Sequence, residues 1–137
     1  MIWIVVILGI VAGVAFIRLA PSDAARWHKP IGDAENADGT GWSARVVPAT
    51  PGLLSDLHQA MVKLPRTELL AGGVSEGRLT YITRSKIIGF PDYTTIEQDG
   101  DQIKLYARLR FGKSDMGVNG KRLDAVLEDV RGNRING

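Results

Sequence analysis

The chain has 137 residues, enough for one domain, and 45% of them are hydrophobic, which argues against a wholly disordered protein. It contains no cysteine, which excludes disulfides, thiolate zinc sites, iron–sulfur clusters and a cysteine nucleophile. The formal net charge of +2 is too small to indicate a nucleic-acid partner, and we expect none.

The first predicted element is a membrane-spanning helix. Residues 2–17 carry no charged side chain and are almost continuously apolar. At about 1.5 Å per residue they cover roughly 26 Å, close to the ~30 Å hydrocarbon core of a bilayer. We therefore predict a transmembrane anchor over residues 1–19, which contacts the membrane through residues 2–17, with Arg18 reaching the interface.

Two other interpretations of this segment fit less well. A cleaved signal peptide would have basic residues before the apolar run, and Ile17 interrupts a cleavage site of small residues. A buried core helix would usually carry a polar face. Orientation is a separate question: Arg18, Arg26 and Lys29 follow the helix, and this charge favours a cytoplasmic C-terminal domain.

Residues 20–44 are rich in proline, glycine and small polar residues and have no hydrophobic periodicity, so they predict a flexible linker. Trp27 and Trp42 break this pattern. We interpret Trp27 as an aromatic residue at the headgroup level of the membrane and expect Trp42 to pack on the edge of the domain.

The following residues, 45–130, predict one α+β domain with the order β-α-β-β-β-β-α. Thr50 and Pro51 begin the first helix, as N-cap and first helical residue. The second helix runs from Asn119, its N-cap, to Val130, and residues 131–137 are predicted to be a disordered tail. The predicted strands cover residues 44–47, 67–70, 78–85, 93–97 and 103–111.

Successive hairpin-like strands followed by a helix indicate an antiparallel sheet with two helices on one face. The strand at residues 103–111 alternates so regularly that its faces can be assigned, with the apolar face towards the helices. We expect the opposite face to be open and basic. It would either form ion pairs with acids such as Asp92 and Glu97 or attract an anionic partner such as lipid headgroups. The residues expected on this face are Arg84, Lys104, Tyr106, Arg108 and Arg110.

Signatures of catalysis are missing from the sequence. His28 and His58 lack partners at metal-ligand spacing. Gly112-Lys113-Ser114 resembles the end of a phosphate-binding loop, but the required earlier glycine is replaced by Ala107. We therefore expect no catalytic residue, no metal and no cofactor.

Two segments carry a family resemblance. Phe90-Pro91-Asp92 is followed by Arg110, by the stretch Gly112-x-Ser114-Asp115-x-Gly117-x-Asn119, and by Arg122. In these segments the chain resembles the domain-of-unknown-function 1499 family. The apolar N-terminal helix and the residues Arg26-Trp27-His28 look like alphaproteobacterial members. The resemblance implies a domain and no particular activity.

The motif has a structural and a functional interpretation. In the structural one, Gly112 and Gly117 bracket a tight connection, while Ser114 and Asp115 bond their own backbone. Phe90, Pro91 and Asp92 belong to the same structural set. In the functional one, basic residues and a helix N-terminus bind an anion or a partner. The candidate binding residues are Arg108, Arg110, Lys113, Ser114, Asp115, Asn119 and Arg122.

These observations lead to two hypotheses of function. The first is a non-enzymatic, membrane-anchored binding or accessory module with a basic sheet face, whose partner is an anionic lipid or a protein. The alternative is an enzyme that acts on an anionic substrate at residues 110–119. We expect a single-pass protein of a bacterial inner membrane. Because some members of the family carry export signals, the side of the membrane on which the domain lies stays open.

Overall fold

The computed structural model describes residues 1–136. Four helices are present in this range: α1 (Ile2–Leu19), α2 (Ala24–Trp27), α3 (Leu53–Val62) and α4 (Val118–Asn136). The strands are β1 (Ala37–Asp38), β2 (Trp42–Pro48), β3 (Thr67–Gly73), β4 (Arg78–Arg84), β5 (Pro91–Asp99) and β6 (Gln102–Leu109).

The strands form one sheet in the order β1-β2-β6-β5-β4-β3, and every neighbouring pair is antiparallel. This arrangement confirms the predicted α+β class. The predicted sheet lacks β1. The helix predicted to open the domain is α3, which begins at Leu53 rather than at Thr50 or Pro51. Its N-cap is Gly52, which adopts the left-handed φ of 77°. This backbone conformation suits glycine, so the chain turns there before the helix starts.

The hydrophobic core lies between one face of the sheet and the helices α3 and α4. Leu57 and Met61 of α3 and Leu123 of α4 are fully buried, in one core cluster with the apolar residues of β6. The apolar side chains that alternate along β6 and those that recur every 3.6 residues along the helices therefore pack into one core layer, as their sequence patterns predict.

The C-terminal residues are helical, so the prediction of a disordered tail over residues 131–137 is corrected for residues 131–136. Helix α4 continues through Asn136, while Gly137 lies outside the described residues. The last turns are held by Arg134, whose Nε donates to Asp56 Oδ2 at 3.0 Å and whose Nη1 donates to Thr50 Oγ1 at 3.0 Å. These contacts join residues far apart in sequence, so the local polarity of the tail gives no sign of them.

The middle of the second face of the sheet, on β4, β5 and β6, is covered rather than open. Residues 20–36, which we call the strap, cross this face after leaving α1. The indole of Trp27 stacks on the ring of Tyr93, with centroids 3.9 Å apart and planes within 10°. His28 Nδ1 and Thr80 Oγ1 share a hydrogen bond of 2.8 Å, and Ser22 Oγ bonds the Tyr93 hydroxyl at 2.7 Å.

The strap corrects the prediction of a flexible linker over residues 20–44 and of an exposed basic face. Lys104 Nζ donates to the strap carbonyl of Gly32 at 2.6 Å and forms a salt bridge with Asp99 at 2.8 Å. Lys104 is consequently buried. Beyond the strap, residues 37–44 supply β1 and the start of β2, so this part of the chain also belongs to the sheet.

Replacing Trp27 tests the strap. We expect Trp27→Ala to lower the free energy of unfolding by about 2 kcal/mol, because the stacked and partly buried indole is lost from Tyr93. Chemical denaturation of the full chain in a mild detergent, followed by far-UV circular dichroism, measures this change. The control is Lys29→Ala on the exposed part of the strap, which should change stability by less than about 0.5 kcal/mol. Equal effects of the two substitutions would contradict a packed strap.

Candidate functional site

The seven candidate binding residues do not form one site. Arg108 and Arg110 lie on the strap-covered face of the sheet, as the alternation of β6 predicts. Asp115, Asn119 and Arg122 lie on the other side, at the N-terminal end of α4. Lys113 and Ser114 are exposed in the loop between β6 and α4.

Arg108 holds the strap in place. Its Nη2 donates to the carbonyl oxygen of Trp27 at 2.6 Å, and its Nη1 donates to Thr95 Oγ1 at 2.8 Å. Its guanidinium also lies 5.5 Å from the centroid of the Trp27 ring. Burial lowers the pKa of Arg108 to about 10, so the side chain remains charged at neutral pH.

Arg110 has a similar role nearer to α1. Its Nη1 donates to the carbonyl oxygen of Pro21 at 2.9 Å and to the Tyr93 hydroxyl at 3.1 Å. Among residues 1–136, neither Arg108 nor Arg110 forms a salt bridge, and the acids expected to pair with them pair elsewhere: Asp92 with Arg122, and Glu97 with Arg78. The two arginines therefore donate to backbone carbonyls and hydroxyl groups of the protein itself.

The loop before α4 is built from turn residues. Gly112 and Gly117 adopt φ values of 95° and 79°, which favour glycine because a side chain would be strained there. Ser114 Oγ accepts from the N–H of Met116 at 3.2 Å, and Asp115 Oδ1 accepts from the N–H of Gly117 at 2.9 Å. This local bonding fixes the position from which α4 starts.

A polar cluster, which we call the motif cluster, joins this loop to β5. It consists of Asp92, Asp115, Asn119 and Arg122. Asn119 is the second residue of α4 rather than its N-cap, and it is fully buried. Its Nδ2 donates to Asp115 Oδ2 at 2.8 Å, and its Oδ1 accepts from Arg122 Nη1. Arg122 Nη1 also lies 3.8 Å from Asp92 Oδ2.

Burial dominates the electrostatics of the motif cluster. It is the largest cause raising the pKa of Asp92, and the nearby Asp115 carboxylate acts in the same direction, while Arg122 and Asn119 act in the opposite one; the net pKa is about 6. Burial also lowers the pKa of Arg122 despite the two neighbouring carboxylates. An Asp carboxyl that titrates near pH 6 can accept or release a proton under physiological conditions.

A second feature lies where α1 meets the domain. The ring of Phe16 contacts Phe111 edge to face, with centroids 6.3 Å apart, and Phe111 lies 6.5 Å from Phe90. Arg18 Nε donates to the carbonyl oxygen of Ile88 at 2.9 Å, and its Nη2 donates to that of Ile87. The last turn of α1 is thereby attached to the end of the sheet.

A cavity of about 550 Å³ opens beside this attachment. Four cationic side chains and one carboxylate line it: Arg18, Arg66, Arg84, Lys86 and Glu68. This set does not stand out in the sequence, because its members come from α1, from a turn, from two strands and from a loop. The available signal was weak: a basic residue in the last turn of an apolar helix, and cations close to strand ends.

Within the described part of the chain, no three His, Asp or Glu side chains are close enough together to hold a metal ion. The arginines, lysines and carboxylates described above are suited instead to hydrogen bonds and ion pairs.

Comparison with known proteins gives one result. A family model described as "Protein of unknown function (DUF1499)" matches residues 35–130. The match includes the motif residues from Phe90 to Arg122 and the whole sheet, whereas α1 and nearly all of the strap precede it. No curated protein matches the chain.

Proposed function

Because this chain belongs to the DUF1499 family, whose function is unknown, we propose from its structure that it is a single-pass, membrane-anchored binding module that is not an enzyme. The domain lies against the bilayer with the β4–β5 and β6–α4 loops towards the headgroups, and it binds anionic partners there. The observation that carries this proposal is the attachment of the last turn of α1 to that end of the sheet.

The first supporting feature is α1 itself. Its 18 residues include one charged side chain, Arg18, and none of them is buried by the rest of the protein. At about 1.5 Å per residue the helix is roughly 27 Å long, which suits a hydrocarbon core of ~30 Å. A helix that exposes apolar side chains on all sides is stable in lipid and is poorly accommodated in water.

The second supporting feature is the composition of the neighbouring loops. The loops at residues 85–90 and 110–117 lie at one end of the sheet, because Arg84 pairs with Pro91 and Asp92 pairs with Leu109. Their tips expose Ile87 and Met116, which are 81% and 87% accessible. Lys86 and Lys113 are exposed in the same two loops. Apolar tips flanked by cations are suited to the boundary between acyl chains and anionic headgroups.

The experiment for this proposal measures depth in the bilayer. The chain lacks cysteine, so single cysteines can carry a nitroxide label without background labelling. Ile87→Cys, Met116→Cys and the control Val74→Cys are labelled in the full chain and placed in bilayers. Val74 lies in the β3–β4 turn, at the opposite end of the sheet. We expect the labels at 87 and 116 to favour collisions with oxygen, as at the membrane interface, and the label at 74 to favour a water-soluble relaxer.

The same preparation tests the anchor. Carbonate and high-salt washes should leave the intact chain in the membrane fraction, as for a bacterial inner-membrane protein. If all three labels were equally accessible from water, the docked orientation would be rejected. If the chain were released by the washes, the membrane anchor would be rejected. If the chain stays in the membrane, protease access from each side assigns the side on which the domain lies.

An enzyme acting on an anionic substrate at residues 110–119 is the second candidate. One observation favours it: the motif cluster brings the Asp92 carboxyl, with its raised pKa, next to Asp115 and Arg122. Such a carboxyl is suited to general acid–base catalysis. Against this role, the cluster is occupied by its own hydrogen bonds and salt bridge. The binding module therefore remains our first proposal.

A further inference from the structure

The side chains that line the cavity at the end of α1 are suited to an anionic ligand. Arg18, Arg66, Arg84 and Lys86 surround it, and among residues 1–136 none of these four forms a salt bridge. The single carboxylate in the lining is that of Glu68, so positive charge predominates. Cations gathered without carboxylate partners repel one another, and a bound anion would relieve that repulsion.

The three arginines are oriented by backbone carbonyls and keep donors for a ligand. Arg66 Nε donates to the carbonyl oxygen of Arg84 at 3.0 Å, and Arg84 Nη1 donates to that of Gly89 at 3.1 Å. Arg18 uses two of its N–H groups on the carbonyls of Ile87 and Ile88. Since each guanidinium has five N–H donors, every one of the three retains several. Guanidinium groups bind phosphate oxygens with paired, charge-assisted hydrogen bonds.

The position of Arg18 indicates that the expected phosphate belongs to a lipid headgroup. It lies in the last turn of α1, where a membrane-spanning helix reaches the headgroup layer. Gly89 allows this side chain to lie close to the loop, because a Cβ at position 89 would come 2.9 Å from Arg18 Cγ. The cavity therefore opens at the depth of the lipid phosphates, and about 550 Å³ is enough for one headgroup.

We propose that the cavity lined by Arg18, Arg66, Arg84 and Lys86 binds the phosphate-bearing headgroup of an anionic phospholipid. This inference rests on the proposed function, since the lipid source of the phosphate follows from the membrane position of α1. The site differs from the motif cluster and from the strap-covered arginines, which donate to the protein itself.

The experiment counts bound lipid on the full chain in a mild detergent. Native mass spectrometry follows titration with phosphatidylglycerol or with phosphatidylcholine of the same acyl chains. We expect one phosphatidylglycerol to bind at least tenfold more tightly than phosphatidylcholine. Lys86→Glu and Arg66→Gln should each weaken phosphatidylglycerol binding about five- to tenfold. Lys86 is exposed and makes no hydrogen bond within residues 1–136, so its substitution should leave the fold intact.

A matched control and a soluble ligand complete the design. Lys63→Glu, which reverses an exposed charge outside the cavity, should leave lipid affinity unchanged. Glycerol phosphate and inorganic phosphate are titrated by calorimetry, and we expect both to bind far more weakly than the lipid. Equal affinity for inorganic phosphate would overturn the lipid assignment. Equal affinity for both lipids, or unchanged affinity in Lys86→Glu and Arg66→Gln, would overturn the site.

These outcomes are separate from those that test the proposed function. Micelles present lipid to the cavity whichever way the domain lies on a bilayer. If the labels at positions 87 and 116 lie at the membrane interface but no lipid binds specifically, the lipid site in the cavity is rejected and the docked orientation of the module stands. Specific lipid binding with solvent-exposed labels at positions 87 and 116 would reject the docked orientation and leave the cavity.

Discussion

Leu123→Ala is expected to lower the free energy of unfolding by about 2–5 kcal/mol, one of the two largest effects expected in this chain. Leu123 is fully buried where α4 packs on the sheet, in the same cluster as Leu57 and Leu105. Truncation removes apolar contacts and leaves a cavity that a rigid sheet cannot close. Chemical denaturation of the full chain in a mild detergent, followed by far-UV circular dichroism, measures the change.

The matched control for this substitution is Leu69→Ala. Leu69 lies on the edge strand β3 and is 40% exposed, so we expect its truncation to change the free energy of unfolding by less than about 1 kcal/mol. If the two leucines gave similar losses, the packing of α4 on the sheet would have to be revised.

Asp92 is expected to make the domain less stable as the pH rises from about 4 to 6. Its pKa is about 6 in the folded protein, against an ordinary value of 3.8, so the folded state binds more protons in this window than the unfolded state. The contribution of Asp92 to the free energy of unfolding is therefore fully present below pH 4 and is lost as the pH rises through 6. A shift of about two units corresponds to roughly 3 kcal/mol.

The measurement is the free energy of unfolding as a function of pH, compared between wild type and Asp92→Asn. The amide cannot titrate, so the variant should lose this component of the pH dependence. Asp115, Asn119 and Arg122 face the carboxyl and remain in place. Asp129→Asn, an exposed carboxylate with no hydrogen bond or salt bridge within residues 1–136, serves as the control and should keep the wild-type profile. An unchanged profile in Asp92→Asn would show that Asp92 titrates normally.

The alternation of β6 illustrates how far the sequence leads. It places Arg108 and Arg110 on the face opposite the helices, and the structure agrees. What covers that face was not predictable, because the strap is held partly by isolated side chains such as Trp27 and partly by its backbone carbonyls at Pro21, Trp27 and Gly32. Every residue type has a carbonyl, so these contacts leave no pattern in the sequence, and a segment without periodicity resembles a linker.

The motif illustrates the opposite case. The family resemblance, confirmed by the match over residues 35–130, singled out Asp92, Asp115, Asn119 and Arg122 as related positions. The structure brings these four side chains together in the motif cluster. It also separates them from Arg108 and Arg110, since those arginines point to the other face of the sheet. Spacing along the chain alone could not divide the seven candidates in this way.

The sequence by itself determined the features that depend on short-range pattern: the continuously apolar helix α1, the amphipathic stripes of α3 and α4, the faces of β6 and hence the α+β class. Only the tertiary structure decided which segments cover these faces and which side chains converge. The cations at positions 18, 66, 84 and 86 meet because the sheet register and the attachment of α1 bring distant backbone segments together. Periodicity acts over a few residues, whereas this convergence depends on contacts between residues up to about seventy positions apart, as between Arg18 and Ile88.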